Sequence, residues 1–214
     1  MVQLLPPILV GKGLEATVPN LVKESAKKNP KNKCMGIRKI TCCTMEESEK
    51  GKKIFWQKGP YVWRTYEEVY HDIENAAKGL LKLVGDKRQQ KKQVIAALLA
   101  ETSQEWKISA QAALAGGITL TTVYATLGHE AMLHGLQQTE AEIIFIDWGL
   151  FRTLKDAVLA KCPALRHIIF IGKDFIPEKT EGGKHDPFPS PEEAAALPPI
   201  GNAHCQSAYL LHCR

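Results

Sequence analysis

Two carboxylates follow apolar runs that have the character of buried strands. Glu101 comes after residues 94–100, and Asp147 comes after residues 142–146. Ligands of α/β proteins usually bind where parallel strands end, so both side chains are expected at the edge that would hold a site. A carboxylate in this position can also cap the helix that follows, and the sequence favours this structural role for both residues.

Two groups of residues carry side chains of the kind that ligate metals, but neither has the spacing of a metal site. His129 and His134 are five positions apart on a predicted helix, which places them off a common face. A group near the end of the chain, His204, Cys205, His212 and Cys213, lacks the spacing of zinc ligands. The sequence therefore assigns no metal-ligating residue.

The six cysteines lie at positions 34, 42, 43, 162, 205 and 213, and they form no C-x-x-C pair. Cys42 and Cys43 are adjacent and would make awkward disulfide partners. This pattern is typical of a reducing, intracellular compartment.

Glycine motifs for phosphate binding are absent. The sequence GKG at residues 11–13 lies outside any strand-to-helix turn, and neither G-x-G-x-x-G nor G-x-x-x-x-G-K-[ST] occurs. Dinucleotide binding is unsupported, and no catalytic or cofactor-binding residue is assigned.

The composition predicts a globular protein with a modest positive charge. Of 214 residues, 44% are apolar and 24% are charged, which is enough to bury an ordinary core. Lys and Arg number 28 against 23 Asp and Glu, with much of the excess in residues 23–33 and 86–92. Aromatic residues do not interleave with these runs, so solvated surface is favoured over contact with nucleic acid or an anionic membrane.

The first thirteen residues, MVQLLPPILVGKG, are apolar but are interrupted by Pro6 and Pro7. The apolar run is too short for a membrane span and lacks the charged start of a signal peptide. Neither insertion nor export is predicted from it.

The chain divides into three predicted parts. Residues 1–53 read as an N-terminal arm with one helix within residues 16–30. Residues 54–175 carry a regular pattern, and residues 176–214 read as a linker and an atypical tail whose last residues have neither strand nor helix pattern.

Strands and helices alternate in the regular part. Residues 54–65 predict two short strands around a turn at Gly59 and Pro60, and Thr65 with Glu68 forms a capping box for a helix ending at Gly85. This helix is expected to bury Val69, Ile73, Ala76, Ala77, Leu80 and Leu81.

A second capping box, Thr102 with Glu105, opens a helix that ends at Gly116 and Gly117. Further helices are predicted over residues 129–138 and 150–161, and strands over residues 94–99, 118–123, 142–146 and 167–171. Short connections between alternating strands and helices indicate an α/β fold with a mainly parallel sheet and flanking helices. The apolar run at residues 94–100 suits a strand covered on both faces. Trp63, Trp106 and Trp148 are expected to pack between helices and sheet.

Several ordered segments resemble a known family. Residues 62–80, VWRTYEEVYHDIENAAKGL, and residues 100–128, AETSQEWKISAQAALAGGITLTTVYATLG, are similar to the first two conserved segments of the adenylate-forming superfamily. Within it, VYATLG, HGLQQTEAEIIFID and CPALRHIIFIG resemble the long-chain fatty acyl-CoA synthetases. The similarity covers about residues 54–175.

The resemblance implies the first part of the large N-terminal domain of these enzymes and a ligase activity. Such enzymes use ATP to convert a fatty acid into an acyl-adenylate, and coenzyme A then forms the thioester, with Mg²⁺ offsetting the phosphate charge. Fatty acid, ATP and coenzyme A are the implied partners. The VYATLG turn reads as scaffold, in which Thr126 can cap a helix and Gly128 can relax the backbone.

The family's phosphate loop, its nucleotide-positioning segment, its ribose-binding Asp and its catalytic Lys have no match in these 214 residues. We therefore expect a truncated chain that does not catalyse alone. The alternative is a non-catalytic remnant that binds a lipid, a membrane or a full-length paralogue. The expected location is intracellular, in the cytoplasm or on the cytosolic face of a membrane such as the endoplasmic reticulum.

The isolated chain is also expected to be marginally stable and to self-associate. Its continuous apolar strands would leave a face or an edge open unless further structure covered them.

Overall fold

The structure, a computed structural model, describes residues 17–48, 51–85, 93–171 and 207–211. Its elements in chain order are α1 (Val18–Lys28), β1 (Lys33–Ser48), β2 (Gly51–Thr65), α2 (Tyr66–Val84), β3 (Ile95–Leu99), α3 (Gln104–Ala115), β4 (Thr119–Thr122), α4 (His129–Thr139), β5 (Ile143–Ile146), α5 (Trp148–Lys161), β6 (His167–Ile171) and β7 (Ser207–Leu211). The strands form an antiparallel hairpin, β1 with β2, and a five-stranded sheet.

The five-stranded sheet is parallel at every pairing, in the order β4-β3-β5-β6-β7. Ala97 of β3 pairs with Thr121 of β4 on one side and with Ile144 of β5 on the other. Ile144 in turn pairs with Ile168 of β6. The prediction that residues 94–99, 118–123, 142–146 and 167–171 are strands of one mainly parallel sheet is confirmed.

The central strands bury side chains on both faces, because successive residues of a strand point to opposite sides. One face packs under α4 and α5 through Ala97, Leu99, Ile144, Ile146, Ile168 and Phe170. The other face packs under α2 and α3 through Ala96, Leu98, Ile143, Phe145, Ile169 and Ile171.

The predicted cover on both faces of the first parallel strand is therefore confirmed. The expectation of an open apolar face is wrong for β3 and β5, where residues 96–99 and 143–146 are at most 1% exposed. Self-association of the chain stays a prediction.

A third apolar cluster joins the hairpin and α1 to the helical layer of α2 and α3. Its buried members are Val69 and Ile73 of α2 and Ile108 of α3, with Val22 of α1 and Met35 of β1 packed against them. The hairpin is thus attached to one side of the domain rather than to the sheet itself.

Helix α2 begins and ends as the sequence predicts. The Thr65 hydroxyl accepts from the N–H of Glu68 at 3.3 Å, and the Glu68 carboxylate accepts from the N–H of Thr65 at 2.7 Å. The helix stops at Gly85, whose φ of 45° lies in a region that glycine adopts readily. Of its predicted inward face, Val69, Ile73, Ala77 and Leu80 are buried, while Ala76 and Leu81 are half-buried.

The second predicted capping box is wrong by one residue. Ser103, not Thr102, caps α3, and its hydroxyl accepts from the N–H of Trp106 at 3.1 Å. Glu105 is buried at 4% exposure in the helix packing. Two adjacent hydroxyl residues could serve as the cap, and the box pattern selected the wrong one. The predicted end at Gly116 and Gly117 is confirmed.

The hairpin corrects two predictions: that residues 33–48 belong to an arm without regular structure, and that Gly59 and Pro60 form a turn between two strands. Residues 33–48 form β1, and β2 runs from Gly51 through Thr65 as one strand. The pairing shifts between Arg38↔Tyr61 and Ile40↔Lys58, so Gly59 and Pro60 lie at a bulge. Proline lacks an N–H and is tolerated at bulges, where its missing donor breaks no ladder. The helix predicted within residues 16–30 is confirmed as α1.

The prediction that the last residues have neither strand nor helix pattern is wrong for Ser207–Leu211. This segment is β7, which pairs in parallel with β6, for example Ile169 with Tyr209. Its short apolar run supplies a partner for backbone groups at the edge of β6. The other residues of the predicted linker and tail, 176–206 and 212–214, lie outside the described residues.

Of the remaining predictions, some are confirmed, one is wrong and some concern residues outside the described ranges. The lysines of residues 23–33 are exposed, whereas the run at residues 86–92, the first sixteen residues and the histidine–cysteine group near the end lie outside the described residues. Trp106 and Trp148 pack against the two cores as predicted. Trp63 does not, because it lies on the hairpin and is 45% exposed. Within the ranges that the structure describes, no helix is long and apolar enough to cross a membrane.

Replacing Phe145 by Ala is expected to lower the free energy of unfolding by about 3–5 kcal/mol, because it removes a ring that is 1% exposed in the core and leaves a cavity. Urea unfolding of the purified chain measures the change. The control is Tyr124→Ala at a side chain that is 74% exposed, expected within about 0.5 kcal/mol of the parent. Equal losses in the two variants would contradict the two-faced core.

Glu68 gives the fold a dependence on acid pH. Hydrogen bonds from the Thr65 N–H and hydroxyl lower the pKa of the Glu68 carboxyl below its ordinary value. Because the folded pKa lies below the unfolded one, this contribution is complete above the ordinary Glu value of about 4.3 and is lost as the pH falls through the folded value. The stability difference between the parent and Glu68→Gln should therefore shrink on acidification. A difference that is the same at neutral and acid pH would refute this origin.

Candidate functional site

The candidate site is the edge of the parallel sheet at which β3, β4 and β5 end. β4 and β5 flank β3, so the chain leaves this edge toward opposite sides of the central strand. In open α/β sheets a ligand crevice forms where the connections diverge in this way. The segments at this edge are residues 100–103, 123–128 and 147–149.

Asp147 and Glu101, the two carboxylates predicted at this edge, have different roles. Asp147 is half-buried and caps α5, with its Oδ1 accepting from the N–H of Leu150 at 2.7 Å. Its predicted structural role is confirmed. Glu101 is exposed, and α3 is capped by Ser103 instead, so the predicted capping role of Glu101 is wrong.

In the VYATLG turn after β4, Val123 is buried in the core, and most of the following side chains face outward. Tyr124 is 74% and Leu127 is 42% exposed, and the N–H of Leu127 donates to the carbonyl of Tyr124 at 3.2 Å. Gly128 is the N-cap of α4 with an ordinary φ of −62° and no side-chain cap. The predicted capping by Thr126 and the predicted backbone role of Gly128 are therefore wrong. The turn is an exposed connection between β4 and α4.

The described residues offer no metal centre. His129 and His134 are exposed on α4, and within residues 17–48, 51–85, 93–171 and 207–211 no three side chains of His, Cys, Asp or Glu are grouped to hold a metal ion. This donor set does not fit a Mg²⁺ site, so no chemical step is assigned to Mg²⁺ through these residues.

Two charged pairs of the described residues lie away from the candidate edge. Arg166 and Glu142 come within 3.2 Å at the opposite edge, where β5 and β6 begin, and the Glu142 carbonyl accepts from the N–H groups of Arg166 and His167. Arg64 pairs with Asp72 between the hairpin and α2. Both pairs join neighbouring elements, which is a structural role.

Two cysteines, Cys34 and Cys162, lie in packed parts of the domain. Burial raises the pKa of the Cys34 and Cys162 thiols. Cys162 lies in the core beneath α4 and α5, and Cys34 packs against the cluster of Val69, Ile73 and Ile108, so both serve as small apolar packing residues.

Sequence reasoning missed one ordered surface, on the hairpin. The Lys33 ammonium lies over the Trp63 ring and the Arg38 guanidinium lies over the Tyr61 ring. Tyr61 and Trp63 are two residues apart, which could have signalled a shared strand face. The partner strand β1 gave no signal, because the pattern of residues 33–48 is irregular.

Residues 44–203 match the AMP-binding enzyme family. The chain is similar to long chain acyl-CoA synthetase 8 of Arabidopsis thaliana, with 30% identity over 162 residues that cover 74% of this chain and 21% of the synthetase. It is also similar to long-chain-fatty-acid–CoA ligase 1 of Saccharomyces cerevisiae, with 25% identity over 181 residues that cover 79% of this chain and 25% of the ligase. The chain thus spans a quarter or less of these relatives.

Among solved structures, the chain is similar to the A domain of a carboxylic acid reductase from Segniliparus rugosus, which was solved with AMP and a co-purified carboxylic acid. The TM-score is 0.63 at 11% identity, and the match covers 95% of this chain and 29% of that one. At this identity the likeness concerns the fold alone. It confirms the predicted α/β fold with a mainly parallel sheet and flanking helices.

Two substitutions of Asp147 separate the contribution of its capping hydrogen bond from that of its charge. Asp147→Ala should lower the free energy of unfolding by about 1 kcal/mol, because it leaves the N–H of Leu150 without its acceptor. Asp147→Asn keeps an acceptor oxygen and should cost only a few tenths of that amount, as Asn caps about as well as Asp. Thermal and urea unfolding measure both variants. An Asn variant as unstable as the Ala variant would show that the charge matters and that capping is not the main role.

Proposed function

The chain belongs to the AMP-binding enzyme family, and we propose that it is the N-terminal part of an ATP-dependent long-chain fatty acid–CoA ligase. The observation that carries the proposal is the match to two curated relatives, a long chain acyl-CoA synthetase and a long-chain-fatty-acid–CoA ligase, over 74% and 79% of this chain. The family match at residues 44–203 includes the segments that resemble the adenylate-forming superfamily, at residues 62–80 and 100–128. It also includes those that resemble the long-chain fatty acyl-CoA synthetases, at residues 123–128, 134–147 and 162–172.

The proposed reaction has two steps. A carboxylate oxygen of the fatty acid attacks the α-phosphorus of ATP, and pyrophosphate leaves as the acyl-adenylate forms. The sulfur of coenzyme A then attacks the acyl carbonyl, AMP leaves, and the thioester forms. Activation is needed because the oxygen of a free carboxylate is a poor leaving group. ATP, Mg²⁺ and coenzyme A are the cofactors that this proposal requires.

The proposed role of this chain in the reaction is that of a structural scaffold. Its parallel sheet fixes an edge at which β3, β4 and β5 end. The groups described at that edge cap helices or face solvent, and in the described part of the chain no cluster of carboxylate, imidazole or thiol groups is available for metal binding. We therefore propose that phosphate binding and catalysis require residues other than these.

We also propose an intracellular location, in the cytoplasm or at the cytosolic face of a membrane. Support comes from Cys34 and Cys162, which carry free thiols. Proteins exposed to oxidising compartments commonly pair their cysteines in disulfides.

The 214-residue chain alone should show no fatty-acid-dependent exchange of pyrophosphate into ATP and should form no acyl-CoA. Loss of a single preorganised donor at a developing charge costs about 10²–10³ in rate, and this chain lacks the whole phosphate-binding set. The measurement is isotope exchange with purified chain, ATP, Mg²⁺ and palmitate. Exchange above that of a boiled sample would contradict the proposal.

A chimera provides the positive control. Residues 54–171 of this chain would replace the aligned segment of the Arabidopsis synthetase, whose remaining sequence supplies the other segments. Palmitate-dependent exchange by a folded chimera is the expected result, because the grafted part acts as scaffold. A chimera that unfolds cooperatively, yet shows no exchange, would show that the two scaffolds are not equivalent.

A further inference from the structure

One face of the hairpin carries an ordered row of aromatic and basic side chains, here called the aromatic face: Lys33, Arg38, Tyr61 and Trp63. The Tyr61 and Trp63 rings are stacked, with 5.5 Å between centroids. The Lys33 Nζ lies 5.4 Å from the Trp63 centroid, and the Arg38 Cζ lies 5.8 Å from the Tyr61 centroid. Each ring thus has one cation and one ring as neighbours.

The register of the hairpin explains why these side chains share a face. Trp63 lies opposite Gly36, and Tyr61 lies opposite Arg38. The intervening pair, Ile37 and Val62, points to the other side, because side chains alternate along a strand.

Contacts with Gly36 and with the bulge at Gly59 hold the aromatic face in place. A Cβ added at Gly36 would lie 2.8 Å from a carbon of the Trp63 ring, so the ring rests directly on the glycine. Arg38 donates to the carbonyls of Lys58 at 2.6 Å and of Gly59 at 2.8 Å, which fixes its guanidinium at the bulge. These contacts set the geometry before any partner binds.

The face is exposed and positively charged. Tyr61 is 59% and Trp63 is 45% exposed, and both cations are exposed. Among the hairpin side chains that the structure describes, at residues 33–38, 41, 42, 44 and 55–65, there is no carboxylate, whereas Lys33, Arg38, Lys58 and Arg64 are basic. Arg64 pairs with Asp72 of α2, which leaves three cations to set the local charge.

We propose that the aromatic face binds the surface of an anionic phospholipid membrane. Trp and Tyr carry an apolar ring with a polar group and are enriched at the boundary between headgroups and acyl chains. Lys and Arg beside them are attracted to anionic headgroups. Both kinds of side chain lie on one exposed face of an antiparallel ribbon, as binding to a flat surface requires.

Two other partners fit the geometry less well. Nucleic acid binding of this type stacks bases on open aromatic faces, but the faces of Trp63 are taken by Gly36, Tyr61 and Lys33. A second copy of the same face would bring like charges together, which disfavours association. The inference does not depend on the proposed ligase function, because it needs only the hairpin.

The test is co-sedimentation of the 214-residue chain with vesicles of phosphatidylcholine, with or without phosphatidylserine. We expect binding only when phosphatidylserine is present, and weaker binding as salt is added. Lys33→Gln should weaken binding about fivefold, as expected for one basic residue near an anionic surface. Tyr61→Ser should weaken it by at least as much, whereas Tyr61→Phe keeps the stacked ring and should bind nearly as the parent does.

Matched controls lie on other elements. Lys107 is an exposed lysine of α3 that also lies over a tryptophan, 5.8 Å from the Trp106 centroid, and Tyr124 is an exposed tyrosine at the sheet edge. Lys107→Gln and Tyr124→Ser should leave vesicle binding unchanged. Circular dichroism melts of every variant exclude loss of the fold as the cause.

Several outcomes would overturn the proposal. These are equal sedimentation with and without phosphatidylserine, and equal losses in the hairpin variants and their controls. If the chain binds single-stranded DNA but not vesicles, and Lys33→Gln abolishes the DNA binding, the face is assigned to nucleic acid. A concentration-dependent dimer that Tyr61→Ser abolishes, again without vesicle binding, would assign it to a second copy.

Discussion

Burial of β3 and β5 on both faces is the constraint on which the rest of the structure depends. Residues 96–99 and 143–146 are at most 1% exposed, and they alternate between the layer of α2 with α3 and the layer of α4 with α5. Each large apolar side chain buried in this way contributes about 1.5–3 kcal/mol relative to an exposed one. Both helical layers must be in place before these strands are covered. The helix starts at Ser103 and Asp147, and the turn between β4 and α4, are positioned as a consequence.

This constraint also explains how much of the fold could be predicted. A strand with two buried faces reads as a continuous apolar run, and a helix on a sheet shows apolar residues at helical spacing, so both signals are local in sequence. The hairpin depends on contacts between residues up to 32 positions apart, such as Lys33 with Thr65. Its bulge at Gly59 and Pro60 resembles a turn until the Arg38 guanidinium is seen to bind the carbonyls there. β7 was missed because its strand character comes from the open edge of β6.

The candidate edge was predictable in its position but less so in its details. Asp147 caps α5 because it is the single residue between the end of β5 at Ile146 and the start of α5 at Trp148. Glu101 lies two positions after the end of β3, and two more residues separate it from α3, so Ser103 takes the cap. The sheet edge and the aromatic face belong to different parts of the domain, joined through the cluster of Val69, Ile73 and Ile108. The candidate ligand edge on the sheet and the proposed contact surface on the hairpin are therefore separate parts of this domain.

Hydrogen exchange of individual backbone amides in the 214-residue chain tests the central claim, which is that the doubly covered strands hold the domain together. The expected result is that the amides of β3, β5 and β6 exchange slowest and open only with global unfolding, while those around the bulge at Gly59 exchange much faster. Exchange as fast in Ile144 and Ile168 as in the hairpin would show that the sheet is not the stable core of this chain.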